Sequence, residues 1–225
     1  MTTVASETNS RWYPICALED LAPRHVFETE LLGVDLAVWR SREGEINVWH
    51  NRCPHRGVRL TLGANLGSEL RCAYHGYRFA SGSGRCQALP AHPDRSPPAS
   101  MQVRTLAHAV RGGLIWTSLN SDSDSVAPPE LWPSLDGPTS DLYPQHIAAP
   151  LSQVTTALAQ HAWNLEEVPE EASVVSLLQP VNSAHTVIHG VLVGHVDAMT
   201  LQRLRRAHAT SLAGLRRVLE MEAPG

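Results

Sequence analysis

Two stretches constrain the fold of this chain more than any composition value does. NRCPHRGVRL, Asn51 to Leu60, and RCAYHGYRF, Arg71 to Phe79, each set a cysteine and a histidine within three residues of one another, beside a glycine. Written out, Cys53-Pro54-His55 is followed after sixteen residues by Cys72-Ala73-Tyr74-His75. Only four cysteines occur in the 225 residues, so half of them stand in matched settings. Two thiolates and two imidazoles can close a metal site, and zinc and iron are the rival metals. Zinc ribbons and fingers pair their cysteines across a two-residue gap, and fingers keep the histidines apart from the cysteines. Here each stretch supplies one thiolate and one imidazole. That division suits a cluster of two unlike irons, one holding both thiolates and the other both imidazoles.

The text around these stretches is strand-like from Arg11 to about Leu119, with short β-branched or aromatic runs cut by turn residues. RHVFETELLG and VDLAVWRS flank Gly33, REG turns the chain at Arg42–Gly44, and RGG joins two later runs at Arg111–Gly113. An antiparallel β domain is expected over 11–119, after a flexible tail over 1–10. Residues 120–150 are dense in Ser, Asp and Pro and read as a linker. Beyond it the grammar turns helical. LSQVTTALAQHAWNLEE has apolar residues at helical spacing, and Pro169 should end or kink that helix. Leu201, Leu204, Leu212, Leu215 and Leu219 recur at three- and four-residue intervals, with Asp197 placed to cap the helix start. The fold class expected is therefore mostly antiparallel β with an appended short, mainly helical C-terminal segment over 151–225, α+β overall.

Composition narrows the partners. A formal charge of −4 and 43% hydrophobic residues describe a globular protein with no basic face for nucleic acid. MTTVASETNS lacks the charged and apolar regions of a signal peptide, and HTVIHGVLVGHV is too short to span a bilayer. No membrane is expected, and the cytoplasm is the default location. In a reducing compartment, four cysteines read as metal ligands or core thiols before disulfides.

CPHRG together with CAYHGYRF closely resembles the two cluster-binding loops of Rieske-type non-haem iron (ring-hydroxylating) oxygenases and their ferredoxins. RWYPIC at Arg11–Cys16 and GLIWTSL at Gly113–Leu119 resemble the strands that open and close that domain, so the resemblance spans about residues 11–119. It implies a Rieske [2Fe–2S] cluster with Cys53 and Cys72 on one iron and His55 and His75 on the other. Gly57 and Gly76 then let backbone N–H groups approach the cluster sulfurs, with the SGSG tract at Ser81–Gly84 and Pro90 covering a third side. Tyr77 stands where the family usually has tryptophan, while Cys86 and Cys16 read as core thiols. Respiratory Rieske proteins carry an extra cysteine in each loop. Here Val58 and Tyr74 hold those places, which implies a potential toward the low end of the Rieske range, roughly −150 mV rather than +300 mV.

Family oxygenases also bind a mononuclear iron through two histidines and a carboxylate in a larger C-terminal domain. That motif is not reproduced. Setting Glu170 on its aspartate puts Ser173 and Leu178 where histidines belong, and NSAHTVIHG offers only His185 and His189, which on a helix would share a face, with Asp197 or Glu220 as a third ligand. The resemblance thus implies an electron-carrying protein with a short or degenerate C-terminal catalytic half, 151–225 being a remnant of a catalytic or docking region. Its electron donor would be a flavin reductase or ferredoxin, and its acceptor a mononuclear-iron oxygenase subunit, with homo-oligomers also in view. Arg56 and Arg59, beside His55, would steer an acidic partner. Two alternatives stay open: an intact monooxygenase or dioxygenase acting on an aromatic or other small organic substrate with Fe(II) at His185 and His189, and a non-redox zinc interaction module.

Overall fold

The computed structural model describes residues 2–4, 12–119, 135, 137–161 and 168–221. In chain order its elements are β1 (Thr2–Val4), β2 (Tyr13–Ala17), β3 (Val26–Leu31), β4 (Val34–Arg40), β5 (Ile46–His50), β6 (Ala64–Asn65), β7 (Glu69–Arg71), β8 (Arg78–Ala80) and β9 (Cys86–Ala88). These are followed by β10 (His108–Arg111), β11 (Leu114–Thr117), β12 (Thr139–Asp141), β13 (Gln145–Ile147), α1 (Leu151–Gln160), β14 (Ser173–Asn182), β15 (His185–Val193) and α2 (Ala198–Met221).

The N-terminal half holds three antiparallel sheets, ordered β3-β4-β5, β10-β11-β2 and β6-β7-β8-β9. Two hairpins turn on pairs of left-handed residues. Leu31 pairs with Val34 across Leu32 (φ 50) and Gly33 (φ 81), and Arg111 with Leu114 across Gly112 (φ 58) and Gly113 (φ 73). Both are two-residue turns whose twist matches the flanking strands. Ile15, Leu36, Val38, Val48 and Ile115 pack between the first two sheets. A second cluster, with Trp39, Trp49, Leu60, Leu70 and Phe79, closes around Cys53 and Cys72.

The C-terminal half departs from the helical reading. Residues 173–193 form a long hairpin of β14 and β15, paired from Ser173↔Val193 to Asn182↔His185, at the centre of a five-stranded sheet. Both faces of the hairpin are covered. Val175, Leu177 and Val191 meet Trp12, Leu114 and Trp116 of the N-terminal half, while Leu178 and Ile188 meet Val154 and Leu158 of α1 and Leu212 and Leu215 of α2. A strand buried on both faces carries a continuous apolar run, and such a run has no period that distinguishes it from a buried helix. A helix stands before the hairpin and another after it, though α1 ends at Gln160, nine residues before the Pro169 expected to end it, and residues 162–167 lie outside the described residues. Asp197 caps α2 as expected, its Oδ1 accepting the backbone N–H groups of Met199 and Thr200 at 2.9 Å.

Two further expectations are corrected. Thr2–Val4, within the expected tail, pair in parallel with Val174–Ser176, using backbone groups that the edge of β14 leaves open. Part of the expected linker is ordered as β12 and β13, which both pair with β15 and bracket the buried Leu142. Residues 120–134 of that linker lie outside the described residues. Composition misses such edge strands because three residues of backbone pairing require no apolar run.

Candidate metal centre

Each Cys/His stretch leaves a strand and returns by the same backbone route. The N–H of Cys53 donates to Val58 O (2.8 Å) and that of Gly57 to Cys53 O (2.8 Å); the N–H of Cys72 donates to Tyr77 O (2.8 Å) and that of Gly76 to Cys72 O (3.1 Å). Gly57 and Gly76 close these bonds at φ 71 and 72, a left-handed conformation that costs other residues about 1–2 kcal/mol. The loops are therefore two copies of one turn, although one has a single residue between its cysteine and histidine and the other has two.

The turns sort the four side chains by element. Cys53 and Cys72 are 3% and 2% exposed and belong to the apolar cluster under the loops, with their thiols within hydrogen-bond reach of each other. The two imidazoles lie together at the surface side, His55 half-buried and His75 exposed, with ring centroids 4.9 Å apart. The two thiols thus adjoin one another, and so do the two imidazoles, within the same pair of loops. Tyr77 lies against the His55 ring at 4.5 Å and Tyr74 against the His75 ring at 3.8 Å. Cys86 and Cys16 are buried in apolar clusters, as expected of core thiols.

Burial pushes the Cys53 thiol up to about 11, and the neighbouring Cys72 adds to the rise. Backbone N–H groups of His55 and Arg56 reach toward Cys53 and oppose it. Such donors stabilise anionic sulfur, and a bound cation deprotonates a coordinating thiol outright. The His55 imidazole is held below its ordinary value by burial, with His75 and Arg56 adding to the effect. A neutral ring has a nitrogen lone pair to give. The donor set therefore fits a two-iron cluster: sulfurs paired inside, imidazoles paired outside, and amide donors aimed at sulfur.

Residues that the sequence did not single out brace the first loop. Asn51 is fully buried; its Nδ2 donates to Asp35 Oδ1 (3.0 Å) and Thr61 Oγ1 (2.9 Å), and its Oδ1 accepts the Thr61 N–H (2.9 Å). Arg59 is held by Glu28 and Asp35, each at 2.8 Å, so it is committed to the scaffold while Arg56 stays exposed. These partners are 10 to 31 residues apart, and no local pattern marks the pairing. The SGSG tract is a correction. Ser81 and Gly82 bond to Asn47, and Ser81 to Glu45, at the end of β5 remote from the loops. Pro90 does lie against Gly76, with its Cγ 3.3 Å from where a Cβ would stand.

The second iron pair is separated. His185 opens β15 and is exposed, whereas His189, at the middle of that strand, is 2% exposed. Four residues along a strand span about 13 Å, too far for one ion. His189 Nε2 lies 2.8 Å from Gln179 Oε1, Asp197 caps α2, and Glu220 accepts the Ala148 N–H (3.0 Å) and holds Arg216. Each candidate ligand already has a structural role.

Antiparallel sheets that end in two matched Cys/His loops define a class: small β domains that hold a metal cluster between paired loops. Comparison with known families says which. Residues 11–107 match the Rieske [2Fe-2S] domain, so that segment is a Rieske domain, and domains of that family bind a [2Fe–2S] cluster. Its relatives include an oxidoreductase, demethylases and oxygenase components. Oxidoreductase NdmD of Pseudomonas putida is 53% identical over 110 residues, covering 49% of this chain and 19% of that protein. Methylxanthine N1-demethylase NdmA of the same species is 32% identical over 123 residues, covering 52% and 34%. The chain thus spans only about a fifth to a third of the length of these curated relatives. Among solved structures, apo dicamba monooxygenase superposes with a TM-score of 0.78 at 19% identity, over 96% of this chain and 87% of that one. NdmB of P. putida CBB5 gives 0.75 at 18%, over 98% and 85%. At those identities the likeness is one of fold, and it extends through the C-terminal half.

Proposed function

We propose that this protein is a one-electron carrier of the Rieske oxygenase type. Cys53 and Cys72 hold one iron of a [2Fe–2S] cluster, His55 and His75 hold the other, and the acceptor is a mononuclear-iron oxygenation site on another chain. The observation that carries this reading is the sorting of the four donors, buried thiols beneath adjoining surface imidazoles 4.9 Å apart. When bound, the cluster takes up and releases one electron at a time. The chain's own residues do the rest. The core around Trp39, Trp49 and Phe79 keeps water from the sulfurs, and the backbone amides of His55 and Arg56 favour the anionic form of the Cys53 sulfur. The exposed His75 ring and Tyr74, 61% exposed, form the contact surface for a partner, and Arg56 steers an acidic one toward it. The electron donor is a flavin reductase or ferredoxin, a reading supported by relatives named as an oxidoreductase and as oxygenase components. The protein acts in the cytoplasm; among the described residues no helix is long and apolar enough to cross a membrane.

Metal analysis beside electron paramagnetic resonance tests this. About two irons and two acid-labile sulfides per chain are expected, with a rhombic signal after dithionite reduction whose mean g lies below the free-electron value. Zinc without sulfide would sink the reading. A third iron would return the oxygenation site to this chain.

A further inference from the structure

Away from the cluster loops, three turns of the N-terminal half border an open surface cleft of about 420 Å³, lined by Pro23, Arg24, Arg40, Arg42, Glu43 and Leu66 among others. Buried hydrogen bonds fix these walls. Asn65, 4% exposed, donates its Nδ2 to the carbonyls of His25 (3.3 Å) and Arg40 (2.9 Å), and its Oδ1 accepts the N–H of Gly67 (2.9 Å). Ser41 Oγ accepts the N–H groups of Glu43 and Glu45, both at 3.2 Å, and the N–H of Arg42 donates to Gly67 O at 3.2 Å. Segments far apart in sequence are thus tied into one frame before any ligand arrives, which removes an ordering cost from binding.

The charge inside that frame is unbalanced. Three arginines and one acidic residue, Glu43, line it, leaving the lining two charges positive. Arg40 donates one N–H to Leu21 O (3.1 Å), while the Arg24 and Arg42 side chains make no hydrogen bond or ion pair among the described residues. Three arginines elsewhere are held by carboxylates, Arg59 by Glu28 and Asp35, Arg78 by Glu69 and Arg216 by Glu220; what sets Arg24 and Arg42 apart is that they line one cleft together with Arg40. Arg24 also sits at φ 63, a left-handed conformation unusual for a residue with a side chain. Gly67 leaves room for Arg42, whose guanidinium lies 3.2 Å from where a Cβ would stand. Like charges around a shared cleft repel, and an anion between them relieves the repulsion.

We propose that this cleft binds a phosphate monoester of mononucleotide size. A tetrahedral dianion matches the excess of two positive charges and accepts from guanidinium groups in several directions, where a carboxylate accepts only in its plane. The volume exceeds what a phosphate group alone fills and lies within the range of small-ligand pockets. Pro23 and the exposed Leu66 offer apolar contact for the organic body.

The proposal is independent of the electron-carrier reading and is tested on the cluster-loaded full chain by calorimetric titration at low ionic strength, with inorganic phosphate and adenosine monophosphate as probes. One saturable site per chain is expected, several-fold tighter for the nucleotide. The double variant Arg24→Gln, Arg42→Gln should weaken both at least ~10-fold with the visible spectrum and melting temperature unchanged, which separates loss of the site from loss of fold. No saturable binding of either probe up to about 10 mM, or equal binding by the double variant, would overturn the site. Equal affinity for the two probes would overturn the organic body.

Discussion

His55 and His75 lie side by side because the cysteine before each is drawn into the core while a glycine after it turns the chain outward. What lies beside them sets the potential. Val58 and Tyr74 stand where a second pair of cysteines would bring a cross-link, so a midpoint near −150 mV is expected, and protein-film voltammetry giving a value well above 0 mV would contradict it. Two other histidines answer to pH through stability. Burial drives His189 down to about 3 and His208 to about 4, from an ordinary 6.5. The folded state keeps both rings neutral, whereas the unfolded chain protonates them near 6.5. Their contribution is complete above that pH and is lost as pH falls toward 4 and 3, at about 1.4 kcal/mol per pH unit for each ring. Denaturant unfolding between pH 7 and 5 should show this decline, and His189→Gln should make its slope shallower by about one proton. An unchanged slope would remove His189 from the account.

Turns and hairpins carry the positions of the loops. Gly76 needs its positive φ and its lack of a side chain together, since a Cβ would strain the backbone and press on Pro90. Gly76→Ala should lower stability by about 1–2 kcal/mol and reduce cluster occupancy, read as iron per chain after purification. The β3–β4 hairpin links the halves. The N–H groups of Leu32 and Gly33 at its tip donate to Pro180 and Val181 of the C-terminal hairpin, and Gln179 Nε2 donates to Thr29 Oγ1 and Glu30 O, both at 2.9 Å. Its strands also carry Glu28 and Asp35, which hold Arg59 beside the first cluster loop. SVVSLLQPVN and HTVIHGVLV fell inside a segment expected to be mainly helical, because continuous burial erases the alternation that marks a strand. The 3.6-residue rhythm of α2 survived because one face of that helix stays in water.

For the molecule as a whole, the C-terminal half is a structural partner of the Rieske domain. Val175, Leu177 and Val191 cover Trp12, Leu114 and Trp116, side chains that a free domain would expose. A chain ending at residue 119 should therefore melt well below the full protein and bind a hydrophobic dye such as ANS. Equal melting temperatures would show that the two halves fold independently.

The two cluster loops, the turn glycines, the Asp197 cap and the leucine face of α2 were all readable in the letters. Each depends on residues a few positions apart, where covalent geometry sets the distance. Asn51 with Asp35 and Thr61, Gln179 with Thr29, the arginine-lined cleft and the separation of His185 from His189 depend on segments 10 to 150 residues apart or on a choice between helix and strand. Only chain closure brings such groups together, and many sequences with the same local rhythm would close otherwise.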